Sequence, residues 1–410
     1  MSSISTETPP KVTPGSSHNS KKKKRIALRS ATPVHRINLE KIPLDPSLSY
    51  HKEDYRVLTS YNLKSNHSIV VPGSPAVYTP SRQQIPFSLQ PDAGNVLADP
   101  NRHVFGTCPH EPLIRSIKLT TSDYDFKKTD FIIDRRNMRW LLEFCSSRNS
   151  QQERRIDVEC VGPNNTILVY TNLGPTRRRG DSFGYGHNFE DAVTRKTKYF
   201  YGPRPEKGGV PGKVLGHWRA CSYTLGGINI CQRFEVDACY SGPSGIENII
   251  PCIKHDFRIP HGQPTSFVHG KCTIHKAGFL AAPHTIMELK TRKFQGENQK
   301  ESGLKSKFFE QVWFSDTPWL VLGRHRKGCF TDVQVKNVQQ ELELWAERNK
   351  DSLRRLAALL KMIQDFMKES PSKNVAIIWR KAVAKELLFY DIEGSLTAVE
   401  LPPDLKELWK

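Results

Sequence analysis

Stretches in which apolar and polar residues alternate predict the strands of this chain, because successive side chains of a strand point to opposite faces. Four such stretches lie in its second half: "KVLGHWRACSYTL", "INICQRFEVDACY", "HTIMELKTRKF" and "WLVLGRHRK". "RIDVECVG" and "NTILVYTN" predict a hairpin around "PNN". "ELLFYDIEGSLTAVEL" predicts another hairpin, which turns at "EGS".

Helical spacing of apolar residues appears in other segments. Met138, Leu141, Leu142 and Cys145 share one face of a helix in "DRRNMRWLLEFCSS". A second helix is predicted to start near Tyr185, a short one in "SKFFEQVWFSD", and a long helical segment in "VQQELELWAERNKDSLRRLAALLKMIQDFMKES". Strands interleaved with helices predict an α+β (mixed α/β) fold, with central mixed β-sheets flanked by helices.

The start of the chain has a different composition. Residues 1–45 are rich in Ser, Thr, Pro and Lys, so we expect a disordered basic tail there. The remaining residues, 46–410, are predicted to form one domain. Its first part, residues 46–130, is Pro-rich and is expected to be irregular.

Bulk composition narrows the class of protein. No apolar run approaches the ~20 residues of a membrane span, and the N-terminus lacks the apolar core of a secretory signal. Nine cysteines without a CxxC pair favour reduced thiols. We therefore expect a cytoplasmic protein without a membrane segment, while "KKKKR" (Lys21 to Arg25) leaves nuclear import open.

The chain is strongly basic. It carries 61 Lys and Arg against 42 Asp and Glu, a formal net charge of +19. Such a charge favours binding to a polyanion, most often nucleic acid.

Two acids in the basic chain raise a question about charge. Glu235 and Asp237 leave the same face of the strand predicted for "FEVDAC". A partly buried pair of like charges should be protonated or should bind a cation.

A second predicted strand, "TIMELKT", carries Glu288 and Lys290 on one face, and Glu190 lies in the first turns of the helix after "GYGHNF". Carboxylates from neighbouring strands can bind one or two Mg²⁺ or Mn²⁺ ions, and a lysine beside them can contact a phosphate. The sequence therefore predicts a metal-dependent phosphodiesterase site. A salt-bridged surface strand remains the alternative.

The order of these motifs resembles a known family. "GHNFE", "EVD", "ELK", then "KFFEQVWF" and "LVLGRHRKG", resemble the motifs of the DXO-type decapping nucleases over roughly residues 135–400. That family removes defective or non-standard caps from RNA 5′ ends. The resemblance implies a nuclease core similar to the PD-(D/E)xK type, in one catalytic domain.

The resemblance also implies roles for particular residues. Glu190, Glu235, Asp237 and Glu288 would bind metal, together with the Leu289 carbonyl. Glu235, Lys290 and Gln311 would be catalytic and would contact substrate, as would Glu190. "ACSYTL" resembles a Cys-Ser segment of the family, which places Cys221 at the substrate site.

One family motif is missing from the expected place. The family has a Trp-Arg-Gly-type motif between the "WLLE"-like helix and the next hairpin, and "RWLLEFCSSRNSQQERRIDVEC" lacks it. Because that arginine contacts 5′-end phosphates in the family, release of pyrophosphate from a 5′-triphosphate is not expected. The resemblance still implies removal of incomplete, unmethylated or NAD-type caps and 5′–3′ degradation of single-stranded RNA.

The expected oligomeric state, the partners and the alternative functions complete the predictions. The chain is expected to be a monomer from a divergent fungal branch, without a stable nuclear exonuclease partner. Two other functions remain open: a Mg²⁺-dependent DNA nuclease, and a catalytically weak RNA-binding protein that stimulates another nuclease.

Overall fold

The fold is given by a computed structural model that describes most of the chain. The described residues are 31–79, 84–93, 95–146, 153–172, 176–178, 184–202, 211–240, 253–256, 265–294, 306–380, 385–394 and 400–410. The strands are β1 (His35–Asn38), β2 (Glu53–Lys64), β3 (Ser68–Gly73), β4 (Ala76–Tyr78), β5 (Phe87–Ser88), β6 (Asn95–Leu97), β7 (Phe131–Asp134), β8 (Arg154–Val161), β9 (Thr166–Thr171), β10 (Thr176–Arg178), β11 (Thr194–Arg195), β12 (Val214–Leu225), β13 (Ile228–Glu235), β14 (Ala238–Cys239), β15 (Ile253–Asp256), β16 (Ser266–His269), β17 (Cys272–Ala281), β18 (Ile286–Lys293), β19 (Trp319–Arg326), β20 (Cys329–Asn337), β21 (Asn374–Trp379) and β22 (Glu386–Asp391). The α-helices are α1 (Pro100–Phe105), α2 (Glu111–Thr120), α3 (Arg135–Cys145), α4 (Gly186–Val193), α5 (Lys198–Tyr201), α6 (Ser306–Ser315), α7 (Gln339–Arg348), α8 (Lys350–Glu369) and α9 (Pro403–Lys406).

Two large mixed sheets form the frame of the molecule. The first has 13 strands, in the order β1-β22-β21-β8-β9-β7-β13-β12-β2-β3-β17-β15, with β16 paired to β17. The second has seven, in the order β11-β4-β14-β18-β19-β20-β5. Parallel pairs such as β7–β13 and β18–β19 occur among antiparallel ones. The predicted α+β fold with central mixed sheets is therefore confirmed.

An apolar core joins the two sheets and the helices around them. Phe234 from the larger sheet belongs to the same buried cluster as Ile286 and Leu320 from the smaller one. The long helix α8 adds a buried face to this cluster, formed by Leu353, Leu356, Leu360, Ile363 and Met367. Burial of this apolar surface is the main force that holds the sheets together. None of the helices in the described part of the chain has the length and apolarity of a membrane span.

The expectation of irregular structure over residues 46–130 is wrong. β2 and β3 are central strands, and every residue of β3 is buried. Their buried polar side chains conceal the strand pattern in the sequence, but each finds a hydrogen-bond partner. Ser60 donates from Oγ to the Pro72 carbonyl at 2.7 Å, and Asn62 donates from Nδ2 to the Ser74 carbonyl at 2.9 Å.

Both ends of the predicted domain also need correction. Regular structure begins at β1, inside the segment predicted to be a tail, because β1 pairs with β22. The rest of the predicted tail, residues 1–30, lies outside the described residues. β22 lies between β1 and β21, so both of its edges are occupied. The predicted "EGS" hairpin is therefore wrong as a pairing of β22, and residues 395–399 lie outside the described residues.

Candidate active site between the two sheets

The stretch "FEVDAC" is the link between the two sheets. β13 ends at Glu235 in the larger sheet, and β14 begins at Ala238 in the smaller one. The prediction of one continuous strand is therefore wrong. The predicted apolar face is present, since Phe234, Val236 and Ala238 are all buried. The two acids thus lie where the chain crosses from one sheet to the other.

Strand pairing brings Asp237 to the Glu-x-Lys strand. Ala238 pairs with Met287 in an antiparallel register, which places Asp237 opposite Glu288. The backbone N–H of Leu289 donates to Asp237 Oδ2 at 2.8 Å. The backbone of Leu289 thus lies at the site and contacts Asp237 through its N–H, while the predicted metal-binding role of its carbonyl stays a prediction.

Glu288 is the centre of a network of donors. Its side chain is buried, at 2% exposure. Lys290 Nζ and Gln311 Nε2 both donate to Glu288 Oε1, the latter at 2.5 Å. Arg135 Nη1 donates to Oε2 at 3.3 Å. The structure thus brings Glu288, Lys290 and Gln311 together, as the sequence predicts.

Glu190 lies on α4, and two contacts with the rest of the protein hold this helix in place. The preceding residue, Phe189, is fully buried and stacks on Phe330 with ring centroids 4.9 Å apart. Asp92 accepts the backbone N–H of Asn188 at 2.9 Å, near the positive end of the helix. Glu190 itself is 34% exposed, and His187 Nδ1 lies 3.6 Å from its carboxylate.

Neighbouring carboxylates act on the pKa values of Glu235 and Asp237. Burial, and then the charge of Glu190, raise the pKa of Glu235 to about 7. Burial, and then Glu288 and Glu190, raise the pKa of Asp237 well above its ordinary value. Burial would also raise the pKa of Glu288, but Lys290 and then Arg135 outweigh it and lower that pKa. The same charges act in reverse on Lys290, whose pKa burial would lower but Glu288 and Asp237 raise.

Glu235 is accessible to solvent. The residue is exposed, although neighbouring protein atoms crowd its carboxylate and raise its pKa. Gly216 on the neighbouring strand makes room for it, because a Cβ at that position would lie 2.9 Å from Glu235 Oε1. Solvent and a substrate can therefore reach this carboxylate.

The donor set fits a hard divalent cation in its chemistry. Glu190, Glu235, Asp237 and Glu288 offer carboxylate oxygens, the ligands that Mg²⁺ and Mn²⁺ prefer. The raised pKa values of Glu235 and Asp237 indicate negative charge that Lys290 and Arg135 do not fully balance. In the present side-chain arrangement, the described residues include no group of three Asp, Glu, His or Cys side chains already placed around one point. Both oxygens of Glu288 instead face Lys290, Gln311 and Arg135.

Two arginines of α3 belong to the site, and the sequence analysis missed them. Arg135 contacts Glu288 and also donates to Ser315 Oγ at 3.0 Å. Arg139, one turn later, donates from Nη1 to Gln311 Oε1 at 3.3 Å and so orients the amide of that side chain. The prediction for this helix rested on its apolar face alone. The i, i+4 spacing of Arg135 and Arg139, which places both on one face of the helix, was the available signal. An arginine is thus present beside the carboxylates despite the missing Trp-Arg-Gly-type motif.

Cys221 does not join the site. It is fully buried in the core, where its Sγ donates to the Gln232 carbonyl at 3.8 Å. Burial raises the pKa of its thiol to about 12, which keeps it protonated. A thiol with no exposed surface cannot touch a substrate, so the predicted substrate contact of Cys221 is not supported.

Solved structures of other proteins have the same fold. Rai1 of Scheffersomyces stipitis, in complex with (3'-NADP)+ and calcium ion, matches with a TM-score of 0.59 and 11% identity, covering 92% of this chain and 99% of that one. Candida albicans Rai1, in complex with pU5-Mn2+, matches with a TM-score of 0.58 and 13% identity, over 92% and 98% of the two chains. K. lactis Dxo1, in complex with manganese, matches at 0.51 and 9%, over 88% and 98%. The resemblance to DXO-type enzymes is therefore confirmed at the level of the fold.

Family membership follows from the sequence itself. No curated protein matches the chain. The model of one family, described as a domain of unknown function (DUF8563), matches residues 34–409. Because that match covers most of its length, the chain belongs to the DUF8563 family.

Proposed function

We propose that this protein is a divalent-metal-dependent nuclease that acts on RNA 5′ ends and removes non-standard caps. The observation that carries the proposal is the convergence at the sheet junction. Burial and neighbouring carboxylates, Glu190 among them, raise the pKa values of Glu235 and Asp237 there, beside the Glu288–Lys290–Gln311 network. Carboxylates beside a lysine are the arrangement expected for hydrolysis of a phosphodiester.

The proposed roles follow from the contacts of each side chain. Glu190, Glu235, Asp237 and Glu288, with the Leu289 carbonyl, would hold one or two Mg²⁺ or Mn²⁺ ions. A bound ion supplies Lewis-acid stabilisation of the phosphate and a more acidic water. Glu235 accepts a hydrogen bond from the attacking water and so orients it.

Lys290 and Gln311 bind the non-bridging phosphate oxygens. Their hydrogen bonds are then strongest when negative charge builds up on those oxygens. Lys290 and Gln311 now donate to Glu288, and Arg139 orients the Gln311 amide. When metal and substrate bind, Glu288 exchanges these donors for the ion, and Lys290 and Gln311 turn to the phosphate.

The reaction is hydrolysis between the first and second nucleotides. The water oxygen bonds to phosphorus, the bond from phosphorus to the 3′ oxygen of the first nucleotide breaks, and that oxygen takes a proton. The products are a cap fragment with a 3′ hydroxyl and an RNA with a 5′ phosphate. Repetition of the same step on that RNA gives 5′–3′ degradation.

The comparisons support the choice of substrate. The related folds were solved with pU5-Mn2+ in one case and with (3'-NADP)+ and calcium ion in another. A 5′-phosphorylated RNA and an NAD-type end are therefore the first substrates to test here. Arg135 lies at the site and is our candidate for contact with 5′ phosphates, so a 5′-triphosphate also belongs in the test. We further propose that the protein acts as a cytoplasmic monomer without a stable exonuclease partner.

The test uses one RNA with five different 5′ ends: triphosphate, unmethylated cap, methylated cap, NAD and monophosphate. With Mn²⁺ or Mg²⁺ the unmodified protein should cleave it, and Asp237→Asn should lower the rate about a hundredfold or more, because a charged oxygen ligand is lost. Asp332→Asn is the matched control, since this carboxylate lies in the same sheet but on the exposed strand β20.

Each outcome decides between functions. Full activity of Asp237→Asn would refute the site. Equal cleavage of a DNA oligonucleotide would favour a DNA nuclease. A protein that binds RNA but cleaves none of the five ends would favour a binding protein that stimulates another nuclease.

A further inference from the structure

Two tyrosines on the short helix α5 are unusually exposed. Tyr199 is 41% exposed and Tyr201 is 52% exposed. Within the described part of the chain they are the only aromatic residues among the large apolar side chains that face solvent. Exposed aromatic side chains on one element commonly mark a binding surface.

Two lysines, Lys196 and Lys198, directly precede these tyrosines. Lys198 Nζ lies 5.1 Å from the centre of the Tyr199 ring. Lys196 Nζ lies 5.6 Å from the ring of Phe200 and forms an ion pair with Asp191 at 2.6 Å. Aromatic rings with cations close to them suit a strand of bases and phosphates, because bases stack on rings and phosphates pair with lysines.

The backbone of α5 is anchored, so the tyrosines project from a fixed support. Phe200, between them, is buried at 8% exposure. Its carbonyl accepts a hydrogen bond from Asn62 Nδ2 at 3.1 Å, and the Tyr201 carbonyl accepts one from Lys64 Nζ at 3.3 Å. Tyr199 also packs edge-on against Phe279, with centroids 6.0 Å apart. A surface held in this way binds with a small loss of conformational entropy.

A short chain of hydrogen bonds joins α5 to the candidate active site. Asn62, which holds Phe200, lies with its Oδ1 2.8 Å from His217 Nδ1. The His217 carbonyl in turn accepts the backbone N–H of Val236 at 2.9 Å. Val236 separates the two acids Glu235 and Asp237. Asn62 and His217 thus connect the backbone of α5 to the link that carries Glu235 and Asp237.

We propose that Tyr199 and Tyr201, with Lys196 and Lys198, form a stacking surface for single-stranded RNA beyond the cleaved linkage. The inference rests on the proposed function for its substrate, and it adds where the rest of the strand lies. One base stacks on each tyrosine ring, and the lysines contact phosphates of the same strand. Duplex RNA, whose bases are already stacked on each other, does not fit this surface.

The test measures RNA binding by the full-length protein made cleavage-incompetent with Glu235→Gln. The probe is a 3′-labelled, 5′-phosphorylated oligouridylate of 20 nucleotides, and fluorescence anisotropy gives the Kd. Adding Tyr199→Ala and Tyr201→Ala should weaken binding about tenfold or more, because both stacking platforms are lost. Adding Tyr199→Phe and Tyr201→Phe instead should preserve the affinity, since phenylalanine keeps the ring.

Controls separate stacking from other effects. Leu344→Ala removes a side chain of similar exposure on α7 and should leave the Kd unchanged. Lys196→Ala with Lys198→Ala should reduce the slope of log Kd against log salt concentration by about 1.4, since each of two lost phosphate contacts contributes about 0.7. A duplex probe should show no difference between the tyrosine variants.

The outcomes distinguish this surface from the proposed function. If the alanine pair binds the oligouridylate as tightly as its parent, the surface is refuted, even where the unmodified enzyme cleaves RNA. An equal loss of affinity for the duplex probe would also refute stacking. If the unmodified protein cleaves no RNA but the alanine pair loses affinity, the surface stands and the proposed nuclease function fails.

Discussion

Glu235 is in an electrostatic state that differs from that of a surface glutamate. Burial, followed by the charge of Glu190, raises its pKa from an ordinary 4.5 to about 7. An acid whose pKa is raised on folding binds more protons in the folded state than in the unfolded one. Its contribution to stability is therefore complete below pH 4.5 and is lost as the pH rises through 7.

Removing this charge should stabilise the metal-free protein at high pH. In EDTA at pH 8, Glu235→Gln should raise Tm by roughly 1–2 °C, because an amide does not repel Glu190. At pH 4 the difference in Tm should largely disappear, since the glutamate is then mostly protonated in both the folded and the unfolded protein. Differential scanning fluorimetry at both pH values provides the measurement.

Glu341 serves as a control, because its pKa is shifted in the opposite direction. A hydrogen bond from Lys336 lowers the pKa of Glu341, so Glu341→Gln should not raise Tm at pH 8. Added Mn²⁺ should raise the Tm of the unmodified protein more than that of Glu235→Gln. Equal melting of Glu235→Gln and unmodified protein at pH 8 would contradict the strained carboxylate cluster.

A buried ion pair between Arg233 and Asp134 holds two elements of the candidate site together. Arg233 donates to Asp134 through Nε at 2.7 Å and Nη2 at 2.9 Å, and from Nη1 to the Pro109 carbonyl at 2.6 Å. Burial would raise the pKa of Asp134, but Arg233 outweighs it and lowers that pKa. Arg233 lies two residues before Glu235, and Asp134 directly precedes Arg135. The pair therefore joins the strand of the carboxylates to the helix of the arginines.

Removing one partner of this ion pair should destabilise the protein more than replacing both partners with apolar residues. Arg233→Met leaves the Asp134 charge buried without its partner and should lower the free energy of unfolding by about 3–5 kcal/mol. The double variant Arg233→Met with Asp134→Leu should recover most of that loss, because no charge is then buried. Urea denaturation gives both values. A double variant less stable than the single one would show that the two side chains do not act as a pair.

At the level of elements, β12 makes room for the Glu235 carboxylate because it has a glycine, Gly216, beside it. A Cβ at Gly216 would lie 2.9 Å from Glu235 Oε1 and 2.8 Å from the Trp218 ring. The backbone angles there suit any residue, so the glycine is needed for space and not for conformation. The position of the Glu235 carboxylate thus depends on a neighbouring strand.

Gly216→Ala should therefore displace Glu235 while the strand remains intact. We expect kcat/KM for RNA cleavage to fall roughly tenfold to a hundredfold, as is usual when a catalytic group moves by about 1 Å. Gly184→Ala is the matched control, because its nearest neighbour, Asp92, would lie 3.6 Å away, an ordinary contact distance. An unchanged kcat/KM for Gly216→Ala would refute a positional requirement at Glu235.

Elements with an unbroken pattern could be predicted from the sequence. β12 and β18 have clear periodicity and were predicted close to their observed bounds. The long helical segment was also predicted, but it consists of two helices, α7 and α8, on either side of Asn349. β2 was missed because a buried strand can carry Ser60 and Asn62 when neighbouring backbone groups satisfy them. Periodicity reports which side chains are apolar, and it cannot report which polar ones have partners.

At the level of the whole molecule, the site is a product of sheet topology. The motif order placed Glu235, Asp237, Glu288, Lys290 and Gln311 in one site, and their observed contacts agree. That "FEVDAC" joins two sheets could not be predicted, because hydrophobic alternation continues unbroken across the junction. The places of Arg135 and Cys221 depend on packing between distant segments, which local patterns do not encode.

The pairing of β1 with β22 has a consequence for synthesis of the chain. His35 pairs with Phe389, and β22 is the only partner of β1 among the described strands. At about 5–20 residues per second, roughly 20–70 seconds separate the emergence of the two strands from the ribosome. For that interval the nascent chain has an unpaired strand edge near its start, which is where chaperones would be expected to bind during translation.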